Sequence, residues 1–444
     1  MEELSTAEIE PSKQKIENLK ALKGRLSRQI GEAKKAGDSA DELISQLKSV
    51  SDEIKTLQKA RKQALNSDGA TQPGGEGKTT GCSPVEALSP VLNTSAKPVH
   101  RVVEDVRGTG PEAAWDDFVD QHGATSPYHK ISVRRFIEQT YSHKTHYCCA
   151  LAEDGEVLGV LPLVQLRSRL FGNFVVSVPY FNYGGLLTNS AEAAEKLLAA
   201  AENWRQVIGA SHVELRHVSD AGTGLPARTD KVTFWLPLPG SSEELWQSFR
   251  PKLRAQVRRP EKEGAEVTIG GAELLDEFYD VFAANMRDLG TPVYSKRFFQ
   301  NLLEQLGTSA RLVIATLNGR SSGCAFLIGH AGRMEIPWAS TLRESNATGI
   351  NMLMYWKILE YSIGQGYQTF DFGRCSKDAG TYKFKQQWGA TPVPLNWNYC
   401  LPAGEKLPEL NPNNPKFRLM IAVWQRLPVW LTRLIGPPIV KSLP

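Results

Sequence analysis

Leu312-Val313-Ile314-Ala315-Thr316-Leu317-Asn318-Gly319-Arg320-Ser321-Ser322-Gly323-Cys324-Ala325-Phe326-Leu327-Ile328 sets two apolar runs on either side of one turn dipeptide. An Asn-Gly pair between β-forming runs signals a hairpin, because both central residues must tolerate positive φ. The stretch Cys148 to Val164 follows the same plan, with Asp154-Gly155 at its turn. In each stretch another glycine follows four residues after the turn glycine, Gly159 and Gly323. Upstream, Ser126-Pro127-Tyr128 precedes a helical run at Arg134–Tyr141, and Thr291-Pro292-Val293-Tyr294 precedes one at Lys296–Leu306. Proline and turn glycine lie 28 residues apart in the first case and 27 in the second (127 to 155, 292 to 319). Downstream come a helix and an apolar strand ending in charge: Ala191–Val207 then His212–Arg216, and Gly349–Ser362 then Thr369–Arg374. Three correspondences in register argue for an internal duplication. The expected fold is α/β (α+β), one unit used twice, at about 100–235 and 241–400.

The rest of the composition agrees with a folded body. The chain has 444 residues, 41% hydrophobic and 23% charged. That excludes wholesale disorder, a collagen and a small disulfide scaffold. No apolar run approaches the ~18 residues of a spanning helix. The first residues, Met1-Glu2-Glu3-Leu4-Ser5, show no secretory signal. The cysteines, Cys82, Cys148, Cys149, Cys324, Cys375 and Cys400, have no metal-ligand spacing, so free thiols in a reducing cytoplasm and no metal are expected. No glycine-rich dinucleotide loop, phosphate loop or nucleophile elbow is present.

Charge is placed unevenly. Residues 12–65 hold thirteen Lys and Arg against seven Asp and Glu, a surplus of six where the whole chain has +4. Apolar residues there keep heptad rows: Ile9, Ile16 and Ile30; Leu19 and Leu26; Leu43, Val50 and Leu57; Leu47 and Ile54. Such rows need a partner helix. Gly37 suits a helix end, and Ser39 with Glu42 suits a capping box. An N-terminal antiparallel helical hairpin of coiled-coil type is expected over 1–66, tethered by a flexible linker over 67–98 that contains Gln72-Pro73-Gly74-Gly75-Glu76-Gly77.

The densest chemistry lies at residues 371–389, Asp371-Phe372-Gly373-Arg374 through Thr381-Tyr382-Lys383-Phe384-Lys385-Gln386-Gln387-Trp388-Gly389. A strand ends at Asp371, and ligands bind α/β sheets at strand ends and their loops. Lys383 and Lys385, on one side of an extended segment or a turn apart, are cations suited to an oxyanion or a phosphate. Asp371 is placed to orient one or to accept a proton. A structural Asp–Arg or Asp–Lys pair capping a loop explains the same residues equally well.

Asn351-Met352-Leu353-Met354-Tyr355-Trp356-Lys357 together with residues 371–389 resembles the FemAB-like branch of the GNAT acyltransferase superfamily, and more closely the FemAB-like proteins of exopolysaccharide and exosortase systems. Lys252–Gly264, Leu289–Phe299 and Pro179–Leu187 are similar as well. The resemblance covers roughly 100–400. It implies tandem GNAT-like domains, at 99–240 and 241–400. It also implies an acyltransferase that forms an amide on a cell-envelope or exopolysaccharide precursor, with aminoacyl-tRNA or acyl-CoA as donor substrate and no cofactor. Phe384-Lys385-Gln386-Gln387-Trp388-Gly389 matches the family's Phe-Lys-x-x-aromatic-Gly segment. On that match Lys385 is expected to polarise the acyl carbonyl, with Asp371 and Tyr382 as further catalytic candidates. Arg374, Lys383, Arg254, Tyr294, Trp338 and Asn351 are expected to bind substrate.

The loop Arg343–Gly349 departs from the pyrophosphate loop of acetyl-CoA enzymes, which weakens acyl-CoA as donor. The arm is similar to a short seryl-tRNA synthetase arm and implies tRNA as a partner, with a dimerisation or docking coiled coil as the alternative. Residues 401–444 form a basic tail. Leu419, Met420, Val423, Trp424, Leu427, Trp430, Leu431, Leu434 and Ile435 alternate there with Lys416, Arg418, Arg426 and Arg433, and Pro428 breaks the helix. This composition suits peripheral contact with the inner membrane, or a helix packed on the body. The competing function class is a non-catalytic GNAT-like adaptor that recruits partners to a polysaccharide assembly complex.

Overall fold

A computed structural model describes residues 97–377, 379–408 and 415–443, and 18–19, 22–27, 29–30, 32, 39–47, 49–51 and 53 near the N-terminus. Two compact units result, Met1–Gly81 and Cys82–Pro444. In the first, residues 22–27 and 41–47 are helical. The heptad residues Leu19, Leu26, Ile30, Leu43, Leu47 and Val50 are buried or half-buried, whereas Ile44 is exposed. The second helix begins at Asp41, whose amide is donated to Ser39 Oγ at 3.5 Å. The turn at Gly37-Asp38 and the linker up to residue 96 lie outside the described residues.

The second unit is built from two sheets. The first repeat comprises β1 (Arg101–Val103), α1 (Pro111–Gln121), α2 (Ile131–Tyr141), β2 (Thr145–Leu151), β3 (Val157–Ser168), β4 (Gly172–Val176), β5 (Leu187–Thr188), α3 (Ala191–Val207), β6 (Val213–His217) and β7 (Ala227–Arg228). β8 (Lys231–Pro237), α4 (Ser242–Ser248) and α5 (Pro251–Lys262) lead into the second repeat. That repeat holds β9 (Ala265–Gly270), α6 (Leu275–Leu289), α7 (Lys296–Leu306), β10 (Ala310–Leu317), β11 (Arg320–His330), β12 (Arg333–Thr341), α8 (Ile350–Gly364), β13 (Thr369–Asp371), β14 (Cys375–Ser376), α9 (Gly380–Gln386), β15 (Thr391–Pro394) and β16 (Asn396–Cys400). α10 (Pro415–Trp424) and α11 (Val429–Val440) close the chain.

The strand orders are β1-β2-β3-β4-β6-β16-β7 and β9-β10-β11-β12-β13-β8-β14, with β5 beside β3 and β15 beside β8. The two hairpins therefore occupy equivalent places, as the duplication requires. Each is followed by an antiparallel strand and then a parallel one, β4–β6 and β12–β13. Even the irregularities match: the register shifts after Ala150 opposite Gly159 and after Ala315 opposite Gly323. A Cβ on Gly159 would lie 2.9 Å from Thr188 Cβ, so the close approach of β5 accounts for that glycine.

Each sheet takes one inner strand from the other repeat's side of the chain. β8 follows the first repeat in sequence but pairs with β13 in the second sheet, and β16 follows the second repeat but pairs with β6 in the first. The sheets thus interchange a strand across the boundary at 240/241 drawn from the sequence. Between the repeats lies one aromatic core, with Phe136, Tyr141, Phe181, Phe298, Phe299 and Tyr399 buried and Trp338 half-buried against them. Burying each such ring contributes ~1.5–3 kcal/mol, which makes the seam a core and not a loose domain contact. Across it α2 faces α7, and Asn301 donates to Thr140 Oγ1 at 3.0 Å.

Candidate functional site

The site is built where β13 ends. Asp371 is wholly buried and accepts four hydrogen bonds: from Tyr183 Oη at 2.5 Å, Thr233 Oγ1 at 2.6 Å, the Gly373 amide at 2.8 Å and Trp235 Nε1 at 2.9 Å. With every donor fixed, it anchors a loop and has no lone pair turned toward solvent. The expectation that Asp371 accepts a substrate proton finds no support in this cage. Gly373 has φ +72, and a Cβ there would lie 3.0 Å from Ile336 O, so glycine alone fits the loop.

Lys385 does not pair with Asp371. Its buried ammonium donates to Gly373 O at 2.6 Å and Arg374 O at 3.2 Å, and burial lowers its pKa. Lys383 and Lys385 do not share a side, as the extended reading had it, because 380–386 is helical and residues two apart on a helix diverge. Lys383 is exposed and lines a groove of about 620 Å³ with Arg250, Lys252, Gln256, Gln386 and Gln387. Among the described residues no carboxylate lines that groove. Arg254 is half-exposed on the same helix, α5, outside the groove lining. Tyr382 packs edge-on against Phe234 and makes no hydrogen bond to Asp371, Lys385 or Arg374, so its candidacy as a catalytic residue finds no support here.

Arg374 is the open member of the cluster. It is exposed to solvent on one side while protein crowds it on the others. Its guanidinium stands 4.8 Å over the Trp397 ring, and Arg216 stands 4.5 Å from the same ring. Burial and the Arg216 charge lower the Arg374 pKa to about 10. Arg216 is held by Glu214 at 2.8 Å and by Phe181 O at 2.6 Å. Burial opposes the Glu214 carboxylate, but Arg216 and Tyr399 outweigh it and keep its pKa below the ordinary value. Tyr294 and Trp338, half-buried with ring centroids 5.9 Å apart, stand by the same seam; burial raises Tyr294 to about 12 against the pull of Arg374. The structure thus brings Arg374, Tyr294 and Trp338 to the seam, puts Lys383 in the groove, and uses Lys385 and Asp371 to hold the loop between. Asn351 sits half-buried in the first turn of α8.

The segment Tyr180–Gly185 of the first repeat reaches into this region. Tyr183 binds Asp371, and Asn182 Nδ2 donates to Glu335 Oε1 at 2.8 Å. Sequence reasoning missed Glu335. It lies beside Asp371 in the register of β12 and β13, and Tyr128 donates to its Oε2 at 2.8 Å. Burial and the Asp371 charge raise its pKa to about 8. One acid within Met334-Glu335-Ile336 was the available signal.

Near α8 the backbone is already engaged. Arg343–Thr348 is a 3-10 turn, and the amides of Ser345, Gly349, Ile350 and Met352 are donated to Leu342 O, Asn346 O, Thr348 Oγ1 and Gly349 O. α5 packs against it, with Gln256 O 3.9 Å from where a Cβ on Gly349 would be.

Residues 247–386 match the family of acetyltransferase (GNAT) domains. The fold is similar to the crystal structure of FemX, at 16% identity over 64% of this chain and 95% of that one, with a TM-score of 0.51. Fainter likenesses are to the C-terminal domain of a putative lysylphosphatidylglycerol synthetase from Agrobacterium fabrum (12% identity, 65% and 91% covered, TM-score 0.45) and to a tandem GNAT protein from the clavulanic acid biosynthesis pathway (12%, 67% and 97%, TM-score 0.42). No curated protein sequence matches the chain. The fold is α/β with two mixed sheets, and the GNAT match lies over the second repeat.

Proposed function

We propose that the protein is an acyltransferase that moves an aminoacyl group from tRNA to an amine of an envelope or exopolysaccharide precursor at the cytoplasmic face of the inner membrane. The observation that carries this reading is the solvent-open Arg374, fixed over Trp397 at the seam of two GNAT-like repeats. In the reaction the acceptor amine attacks the ester carbonyl, and a tetrahedral oxyanion forms. The bond to the ribose oxygen then breaks, and the amine proton leaves with that oxygen. Arg374 is placed to meet the oxyanion, since a fixed cation in a crowded site needs no reorganisation. Lys385 and Asp371 act as positioning residues for Arg374. Lys385 keeps a third N–H beyond its two carbonyl partners, available to the acyl carbonyl. Arg250, Lys252 and Lys383 suit the phosphates of a nucleic-acid donor. The engaged amides around Gly349 count against acyl-CoA, whose pyrophosphate needs such amides free.

One observation favours the second reading, a GNAT-like adaptor: Asp371 is fully engaged by structural donors, and two of the three Lys385 N–H groups go to loop carbonyls. The purified protein offered charged tRNA or acyl-CoA with amine-bearing envelope precursors separates the two. Product formation that Arg374→Ala abolishes supports transfer. Absence of product with both donors, alongside stable capture of a polysaccharide-assembly protein, supports the adaptor.

A further inference from the structure

α11 leaves large apolar side chains on its outer face as well as its inner one. Thr432, Gly436 and Val440, four residues apart, are buried against the body. Trp430 and Leu434 project outward, 67% and 66% exposed, in line with exposed Pro438. On α10 Leu419, at 68%, and Met420 and Val423 are likewise exposed. A surface helix normally buries its large apolar side chains and exposes its polar ones. The orientation is nevertheless well anchored. Arg287 Nη1 donates to Leu427 O at 3.1 Å, Gln425 Nε2 to Asp288 O at 3.0 Å, and Arg433 Nη2 pairs with Asp280 at 2.7 Å. Gly436 lets the helix backbone press on Val293, since a Cβ there would lie 2.9 Å from Val293 N.

Charge says what covers this face. Residues 415–444 contain Lys416, Arg418, Arg426, Arg433 and Lys441 and no Asp or Glu. Arg426 and Lys441 are exposed. A face of Trp, Leu and Met beside cations, on helices with no acid, matches a bilayer carrying anionic headgroups. A protein partner or second copy would be served by apolar contact without that one-signed charge. Among the described residues no helix is long and apolar enough to cross a membrane, so the element lies on the surface.

We infer that α10 and α11 form a membrane-docking face for anionic lipid. Docking there places the seam beside the bilayer. Lys441 O accepts from Tyr180 Oη at 2.6 Å, and Tyr180 packs edge-on against Tyr294 at 5.9 Å. A lipid-linked acceptor then reaches the cleft from the membrane plane; this last point rests on the transfer reading, and the docking does not.

The test is flotation of the full chain with vesicles of phosphatidylcholine alone and of phosphatidylcholine mixed with phosphatidylglycerol. The expected result is binding to the mixed vesicles that weakens with salt. Trp430→Ser with Leu434→Ser should weaken it about tenfold or more at an unchanged melting temperature, because both side chains are exposed. If that pair melts early, Leu419→Ser with Met420→Ser poses the same question from α10. No flotation of the unaltered chain, or equal flotation of the variants, overturns the inference. So does a dimer that the variants dissolve without any vesicle binding, which would give the face to a second copy. Transfer to a soluble acceptor, assayed on the same preparations, is independent of docking: a chain that transfers but does not float refutes the docking alone.

Discussion

Asp371 and Lys385 hold one residue from its two ends: the carboxylate takes the Gly373 amide at 2.8 Å, and the ammonium binds the Gly373 carbonyl at 2.6 Å. Between them the loop is fixed in a conformation that leaves Arg374 over Trp397. Lys385 thereby gains a role that does not require it to touch substrate. Replacing Lys385 by Met should lower turnover by ~10²–10³, the usual loss when an oxyanion-stabilising group is displaced. The buried Gly373 carbonyl and the part-buried Arg374 carbonyl lose their donor, so stability should also fall by ~1–3 kcal/mol. Lys385→Arg keeps donors in place and should recover part of the turnover. Steady-state kinetics beside thermal melts check both, and unchanged turnover in Lys385→Met removes the residue from the mechanism.

Arg374→Ala separates chemistry from scaffold. Only its carbonyl, which the substitution keeps, accepts from Lys385. Transfer should fall by ~10²–10³ while the melting temperature stays nearly constant. A variant that transfers normally would require the oxyanion to be met elsewhere.

Gly373→Ala tests the loop itself. At φ +72 an alanine costs roughly 1–2 kcal/mol, and its Cβ would press on Ile336 O. The expected outcome is a lower denaturant midpoint together with lost transfer, since Arg374 moves with the loop.

Glu335 makes stability depend on pH. Its folded pKa, about 8, lies above the ordinary 4.5, so the folded chain holds the proton more tightly than the unfolded one. Its contribution is fully present below the ordinary value and is lost as pH rises to about 8. Glu335→Gln removes this dependence. Denaturant melts across that window should show the variant gaining on the parent chain as pH rises; parallel curves would mean that Glu335 ionises normally.

Deleting residues 1–66 should weaken tRNA affinity and flatten the slope of log affinity against log salt, because that slope counts neutralised phosphates. The surplus of six positive charges at 12–65 motivates this. A truncated chain that changes its sedimentation but keeps its tRNA affinity would mark the arm as a dimerisation device.

Local signals carried most of the architecture. Asn318 and Gly319 both adopt positive φ, as their hairpin turn demands, and a turn is written in neighbouring residues. Ala191–Val207 and Lys296–Leu306 are helices with the expected ends, capped by Ser190 and Ser295. What escaped was non-local. Nothing in Lys231–Pro237 says that its partner is β13, because partner choice depends on chain brought from far away. The site was legible as a cluster but not as a geometry. Whether Lys383 and Lys385 converge depends on 380–386 being a helix, and a seven-residue helix has little periodicity to show. Glu335 was hidden for the same reason: its neighbour Asp371 is a sheet partner, 36 residues on in sequence.

The exchange of β8 and β16 bears on how the chain can be made. The first sheet receives one of its inner strands from residues 396–400, between β6 and β7. During synthesis the first repeat therefore leaves the ribosome with a gap, and nearly all of the second must follow before it closes. An unfilled strand position is a hazard for mispairing with other chains. The two repeats share one plan, but neither can be cut free, inherited or traded as a module on its own.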